Sequence, residues 1–321
     1  MIISKTPLRI SLFGGGTDFP EYFNNKKSLI IGSTINKFIY ITFNKTLGFD
    51  KKNIKIFYKN NEFVNNVDKI KHKVVRNLLI KEKITKDLDI HIVADLPSYS
   101  GLGTSSAFTV GLINLLKASQ NKNISKLSLA TKSINFERNI LKENVGYQDQ
   151  IHAAYGGFNK IIIKNKNFKV ESLNLINKKL EKNLLLVFTG ITRKAENIEK
   201  KKIKRIKLNY KYLDEINVIS EEALRVLKKE DSLDEIGFLL NETWQLKKKL
   251  QKSVSNKIID EIYANGINAG SSGGKLLGAG AGGFILFYVE NKYRKKFLKK
   301  MKKYKIVNFK FCSEGSKILN I

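Results

Sequence analysis

A single cysteine, Cys312, stands in a chain of 321 residues, so no internal disulfide can hold the fold together. Long apolar runs are missing too. The longest, Phe284 to Val289, is far short of the roughly 20 residues that a membrane helix needs, so membrane insertion is not expected. No basic segment followed by an uninterrupted apolar stretch precedes Gly14-Gly15-Gly16. That argues against a secretory leader and makes the cytoplasm the expected compartment. The three histidines show no ligand spacing, which gives no reason to expect a histidine metal site. Acidic residues are scarce beside basic ones, 29 against 59.

The resulting charge of +30 and a pI near 9.9 invite a nucleic-acid reading. The lysines, however, run through the whole chain together with asparagine and isoleucine. This is a general compositional bias, so nucleic acid is not an expected partner; the same charge steers small anions toward a site. With 42% hydrophobic residues the chain can bury a sizeable core, and its length favours two domains.

The chain is organised around Asp95-Leu96-Pro97-Ser98-Tyr99-Ser100-Gly101-Leu102-Gly103-Thr104-Ser105-Ser106-Ala107. Before it, Leu88 to Ala94 alternates and branches as a strand does; after it, Phe108 to Lys117 is apolar nearly all round, as a buried helix is. Strand, glycine loop and helix start form a phosphate cradle, because glycine permits close backbone approach and the helix start offers unpaired N–H groups. An ordinary N-capped turn has the same local spelling. No GxxxxGK[ST] string occurs, and Ser106 replaces the last glycine of a dinucleotide fingerprint. A second glycine loop, Gly14-Gly15-Gly16-Thr17-Asp18, follows an N-terminal strand and is either a hairpin turn or a place where a ligand meets the main chain. A third, Gly278, Gly280 and Gly283, formally spells GxGxxG but precedes a strand at Phe284 to Val289, which excludes the dinucleotide use.

On the helix expected from Ser125 to Glu143, Leu127, Ala130, Ile134 and Leu141 recur at helical spacing, and Glu137 falls on the same stripe. A buried carboxylate requires a cation. Here that is a structural partner such as Arg138, Arg9 or a distant lysine, or a metal ion. Asp149, between Gln148 and Gln150, is either an N-cap or a functional carboxylate. Strands are expected at Ser28 to Phe43, Ile54 to Tyr58, Leu184 to Phe188 and Ile306 to Phe311. Helices are expected at Val74 to Lys83, Ala195 to Leu213, Ser220 to Lys229, Leu233 to Gln251 and Asn291 to Tyr304. The polar loop Thr189-Gly190-Ile191-Thr192-Arg193-Lys194 opens the second half.

Taken in order, these motifs resemble the GHMP kinase family. Pro97, Gly101, Leu102, Gly103, Ser105, Ser106 and Ala107 fit its second motif, with Thr104 for a serine. Pro7-x-Arg9 with the glycines ahead of Thr17-Asp18 is similar to the first, and Lys275-Leu276-x-Gly278-Ala279-Gly280-x-Gly282-Gly283 to the third. Gly15-Gly16 stand where galactokinases have Glu-His, and the GGGTD form is similar to the branch of heptose 7-phosphate kinases and fucokinases.

The resemblance implies an α+β, two-domain GHMP kinase fold, with a ribosomal-S5-like domain over 1–183, a ferredoxin-like domain over 184–321, and the site between them. It further implies ATP bound by Pro97, Ser100, Gly101, Leu102, Gly103, Thr104, Ser105 and Ser106, Mg²⁺ held by Ser106 and Glu137, and catalysis by Asp149 with Arg9. The acceptor would meet Gly15, Gly16, Thr17, Asp18, Gly190, Arg193, Lys194 and Gly280, with Lys275 as a further cation. The expected reaction is phosphorylation of the anomeric hydroxyl of a heptose 7-phosphate, for activated-heptose biosynthesis toward surface polysaccharide. The alternatives are an L-fucose or other hexose 1-kinase, and, in another class, a non-catalytic GHMP fold or a basic nucleic-acid binder. A homodimer is compatible with this resemblance.

Overall fold

The computed structural model describes residues 1–50, 52–173, 178–192, 210–229 and 233–320. Runs of isoleucine, phenylalanine and threonine at the N-terminus form β1 (Ile2–Phe13) and the 18-residue β2 (Ser28–Lys45), which pair antiparallel. Pro7 has no N–H to give, and the register of this pair shifts at Pro7/Leu8. β3 (Ile54–Phe57), β4 (Glu62–Val64) and β5 (Leu88–Ala94) extend the sheet, β3 lying parallel to β5. Besides β1, β2 serves two further partners. Its C-terminal half pairs with β5, and its first residues, Ser28 to Ser33, pair with β6 (Phe158–Lys164), which pairs in turn with β7 (Asn167–Ser172).

Five helices lie along this part of the chain: α1 (Pro20–Phe23), α2 (Lys73–Lys81), α3 (Thr104–Ser119), α4 (Lys126–Asn135) and α5 (Gln148–Tyr155). As its all-round apolar sequence requires, α3 is buried along most of its length and packs on β1, β2 and α5. α4 gives way to a π-helical turn over Phe136–Ile140. Leu127 does not share the buried face. It is 56% exposed, and the stripe centres on Leu129, Ala130 and Ser133, with Phe136 and Glu137 following on the turn.

After α6 (Lys178–Asn183), a second sheet forms from β8 (Leu184–Phe188), β9 (Gly273–Leu276), β10 (Phe284–Tyr288) and β11 (Ile306–Val307), in the order β11-β8-β10-β9 and antiparallel throughout. Its helices are α7 (Tyr210–Lys229), α8 (Glu235–Leu250), α9 (Lys257–Asn268) and α10 (Asn291–Lys300). β8 is apolar at every position because both faces are covered: Leu184 and Leu186 join the larger core, Leu185 and Val187 the second core with Trp244, Ile262 and Phe287. A last strand, β12 (Lys317–Asn320), returns to pair with β1. Sequence periodicity did not mark it.

Several boundaries differ from the sequence reading. The last helix stops at Lys300, and of Ile306 to Phe311 only two residues join the sheet, Phe311 making an isolated bridge to Ile35. The basic helix expected from Ala195 falls mostly on 193–209, outside the described residues; the described helix begins at Tyr210.

Candidate active site

Gly101 and Gly103 adopt left-handed backbone, with φ of +81° and +72°, a region open to glycine at little cost. Gly103 is the N-cap of α3 and brings no side chain to it. The first helical bond runs from Ala107 N–H to the Gly103 carbonyl, so the N–H groups of Thr104, Ser105 and Ser106 precede the helical ladder. The hydroxyls of Ser100 and Thr104 are buried without a hydrogen-bond partner among the described residues. Uncapped N–H groups and unsatisfied hydroxyls at the start of a 16-residue helix suit an anion with several oxygens.

The third glycine loop supports this cradle from behind. A Cβ on Gly278 would come 2.4 Å from the Gly101 Cα, and one on Gly283 would come 2.3 Å from the Ser100 carbonyl oxygen. Phe284 N–H donates to that same carbonyl at 3.2 Å. Gly280 backs onto Val254 and lies outside the cleft lining.

Arg9 projects from β1 into the cleft. Its Nε and Nη2 donate to the two oxygens of Asp149 at 2.8 and 2.9 Å, and its Nη1 donates to the Gly101 carbonyl at 2.7 Å. One guanidinium therefore orients the carboxylate and ties it to the phosphate loop. A Cβ on Gly103 would stand 3.4 Å from Asp149 Oδ2. Asp149 is not an N-cap: it lies within the first turn of α5. The backbone N–H of Gln148, which opens α5, is taken by Asp18, which also accepts from Gly16 N–H at 3.0 Å.

Glu137 lies behind Ser106 and is 1% exposed. Ser106 Oγ–H donates to its Oε2 at 2.9 Å, and Gln150 Nε2 donates to the same oxygen and to Ser106 Oγ. Neither of the two arginines considered from the sequence reaches it. Arg138 turns to the Val145 carbonyl and Glu21, and Arg9 to Asp149. Burial pushes the Glu137 carboxyl up to about 7, against the opposing pull of the polar groups of Thr109, Gln150 and Ser106 beside it. Its Oε1 and Gln150 Oε1 have no hydrogen-bond partner among the described residues. A buried hydroxyl and a carboxylate with one unsatisfied oxygen fit a small hard cation that brings phosphate oxygens with it, as Mg²⁺ does. No group of three or more His, Cys, Asp or Glu able to hold a metal occurs among the described residues, so such an ion would rest on this pair and the nucleotide.

One cleft is lined by Arg9, Gly15, Gly16, Asp18, Ser100, Gly101, Gly103, Thr104, Ser105, Ser106 and Asp149. Other expected site residues lie elsewhere. Thr17 is fully buried against Ser28 and the Gly14 carbonyl; Leu102 is core, its carbonyl accepting Arg9 N–H; Pro97 is exposed; and neither Pro97 nor Gly190 reaches the lining. Arg193 and Lys194 are outside the described residues. His152, beneath Gly32, is buried with both ring nitrogens unpartnered among the described residues, and burial, helped by the Arg9 charge, pushes it down to about 3.

The sequence reading missed Lys247, which lines the cleft beside Lys275. Its signal was available: Leu240, Thr243, Trp244, Lys247 and Leu250 form the buried stripe of α8, with a charge at a core position. Gln150 was missed as a partner of Glu137, having been read only as a neighbour of Asp149.

A helix-start anion cradle joined through one arginine to an oriented carboxylate is the equipment of a small-molecule kinase. Residues 68–157 match the GHMP kinases N terminal domain. A D-glycero-alpha-D-manno-heptose 7-phosphate kinase of Campylobacter jejuni is 32% identical over 333 residues, covering 98% of this chain and 98% of that one. The chain belongs to the GHMP kinase family, and its α+β fold is that family's fold. A solved D-glycero-D-manno-heptose 1-phosphate kinase from Bacteroides thetaiotaomicron superposes with a TM-score of 0.82 at 24% identity, over 100% of this chain and 99% of that one. A putative sugar kinase from Campylobacter jejuni gives 0.72 at 29% identity, over 100% and 98%. No helix among the described residues is long and apolar enough to cross a membrane.

Proposed function

We propose that this chain is an ATP-dependent sugar kinase that phosphorylates the anomeric hydroxyl of D-glycero-D-manno-heptose 7-phosphate, giving the 1,7-bisphosphate. The observation that carries the reading is the contact between cradle and carboxylate, in which Arg9 holds both oxygens of Asp149 and the carbonyl of Gly101. Phosphoryl transfer requires a fixed donor phosphate and an acceptor hydroxyl aimed at it. In this reading the Thr104 to Ser106 N–H groups and the hydroxyls of Ser100 and Thr104 hold the donor phosphates. Asp149 accepts a hydrogen bond from the acceptor hydroxyl and takes its proton as the new P–O bond forms and the bond from the γ-phosphorus to the departing ADP breaks. Arg9 keeps that carboxylate in one orientation throughout. Ser106 and Glu137 would hold Mg²⁺, which neutralises charge on the phosphates. The heptose 7-phosphate assignment is supported by likeness to the Campylobacter relative and by the GGGTD loop.

The test is incubation with Mg-ATP and a panel of sugars and sugar phosphates, read by phosphorus NMR. A new anomeric phosphate on heptose 7-phosphate is expected. Transfer only to L-fucose or another unphosphorylated hexose would replace the substrate assignment. An absence of transfer to any sugar would leave a non-catalytic member of the fold.

A further inference from the structure

The orphaned oxygens of this cleft do not all belong to the phosphate cradle. Ser100 and Thr104 carry two of them on the loop, but Ser11 and Gln148 also stand in the lining, and the Ser11 hydroxyl and Gln148 Oε1 have no hydrogen-bond partner among the described residues. These two residues are only 5% and 8% exposed. A desolvated oxygen without a partner is a cost to the fold, so a pair of them in the wall of a cleft points to a group that arrives with a ligand.

The two side chains come together at Gly15. A Cβ there would stand 3.2 Å from Ser11 Oγ and 3.7 Å from Gln148 Nε2. Gly14 and Gly16 have φ of +79° and +109°, but Gly15 lies outside the left-handed region, so what its glycine provides is room beside these two side chains. The place is offset from the cradle. Arg9 and Ser11 lie two apart on β1 and both reach the cleft, yet Arg9 abuts the phosphate loop, its Cγ 3.1 Å from where a Cβ on Gly103 would stand, whereas Ser11 abuts Gly15. Gln148 directly precedes Asp149 on α5. A group held here is therefore close to the carboxylate that meets the acceptor and away from the oxygens that meet the donor phosphates. Its chemistry is restricted as well. An amide oxygen only accepts, and so disfavours the oxygens of a phosphate dianion, whereas a hydroxyl both donates and accepts and can satisfy amide and serine together. We propose that Ser11 and Gln148 bind one hydroxyl of the acceptor sugar, other than the one that is phosphorylated, and so select sugars that carry it. This deepens the kinase reading of the cleft and rests on it.

The test measures kcat/KM for D-glycero-D-manno-heptose 7-phosphate and for its monodeoxy analogues, each lacking one hydroxyl other than the anomeric, with the wild type, Ser11→Ala and Gln148→Leu. In the wild type one analogue falls by roughly threefold to tenfold below the others through loss of this contact. Each variant loses a similar factor on the parent sugar and little more on that analogue, because hydroxyl and side chain are two halves of one interaction. On the remaining analogues the variants fall in parallel with the parent, and the KM for ATP is unchanged. Melting temperature is followed alongside, and Ser11→Ala, the smaller change, carries the comparison if Gln148→Leu does not fold. Variants that keep the full wild-type discrimination against every analogue, or whose losses trace to the KM for ATP, overturn the assignment of the pair while leaving the kinase reading intact. If the wild type takes only an unphosphorylated hexose, the heptose assignment falls and the same comparison on that hexose and its monodeoxy analogues decides the pair. A wild type that transfers to no sugar overturns the kinase reading, and the proposal with it.

Discussion

Glu137→Gln offers a test in which stability and activity move in opposite directions. Burial raises the carboxyl from its ordinary 4.5 to about 7, so the folded protein binds a proton between those values that the unfolded chain has released. The contribution of Glu137 to stability is thus fully present below about 4.5 and is lost as pH rises through about 7. A shift of that size corresponds to about 3 kcal/mol lost by pH 8. Glutamine is nearly isosteric and carries no charge to desolvate. In the presence of a chelator, the stability of Glu137→Gln relative to wild type should therefore climb between pH 5 and 8 by up to about 3 kcal/mol. Urea denaturation across that range measures it. The same substitution removes a hard anionic ligand, so the Mg²⁺ concentration for half-maximal rate should rise. In the wild type that requirement should rise as pH falls below about 7 and the carboxyl takes up its proton. Parallel stability profiles for the two proteins would show that Glu137 does not titrate in this window. An unchanged Mg²⁺ requirement would show that it is not a ligand.

Asp149→Asn should keep the fold and nucleotide binding while lowering kcat by roughly 10² to 10⁴, and near wild-type turnover would remove Asp149 from the mechanism. Gly101→Ala adds a Cβ that would come 2.6 Å from the Leu277 carbonyl oxygen at a φ of +81°. Urea unfolding should show a loss of roughly 1 to 3 kcal/mol, with a raised KM for ATP as the glycine loops are forced apart. His152 should remain a neutral imidazole, its proton resonances flat from pH 5 to 8. Because its folded value lies below the unfolded one, its contribution is present above about 6.5 and lost as pH falls toward 3. A midpoint near 6.5 in the NMR titration would contradict its burial.

Elements whose cause lies within a few residues were legible. Leu88 to Ala94, the loop to Gly103 and the helix beyond it are written in alternation, glycine and unbroken apolarity, and the structure follows that pattern. Glu137 was legible as a charge on an apolar stripe, although the stripe was placed too far toward Leu127 because its centre is Leu129, Ala130 and Ser133. Lys247 carries the same signal, which the abundance of lysine throughout the chain obscures. β12 was not legible: four residues near the C-terminus acquire their role only by pairing with β1, at the opposite end of the sequence. The third glycine motif was legible as a loop but not as a support. That Gly278 and Gly283 are needed where Gly101 and Ser100 pass behind them is a fact about two backbones far apart in sequence.

The same distinction explains why Asp149 could not be assigned from its own neighbourhood. Locally it is an acidic residue at the start of a turn, which is where an N-cap belongs. What withdraws it from capping is that α5 begins one residue before it, so the Ile151 N–H it could have taken goes to the Tyr147 carbonyl, while Asp18 accepts the Gln148 N–H and the Gly16 N–H. Asp18 can approach because residue 146 is glycine, where any Cβ would come 1.9 Å from its Oδ2. The Asp149 side chain meets Arg9 across the cleft, and Arg9 in turn holds Gly101. The GGGTD loop therefore has a function in this fold that its glycines alone do not reveal. Its aspartate satisfies the N–H that opens α5, and Asp149, one residue further along that helix, faces Arg9.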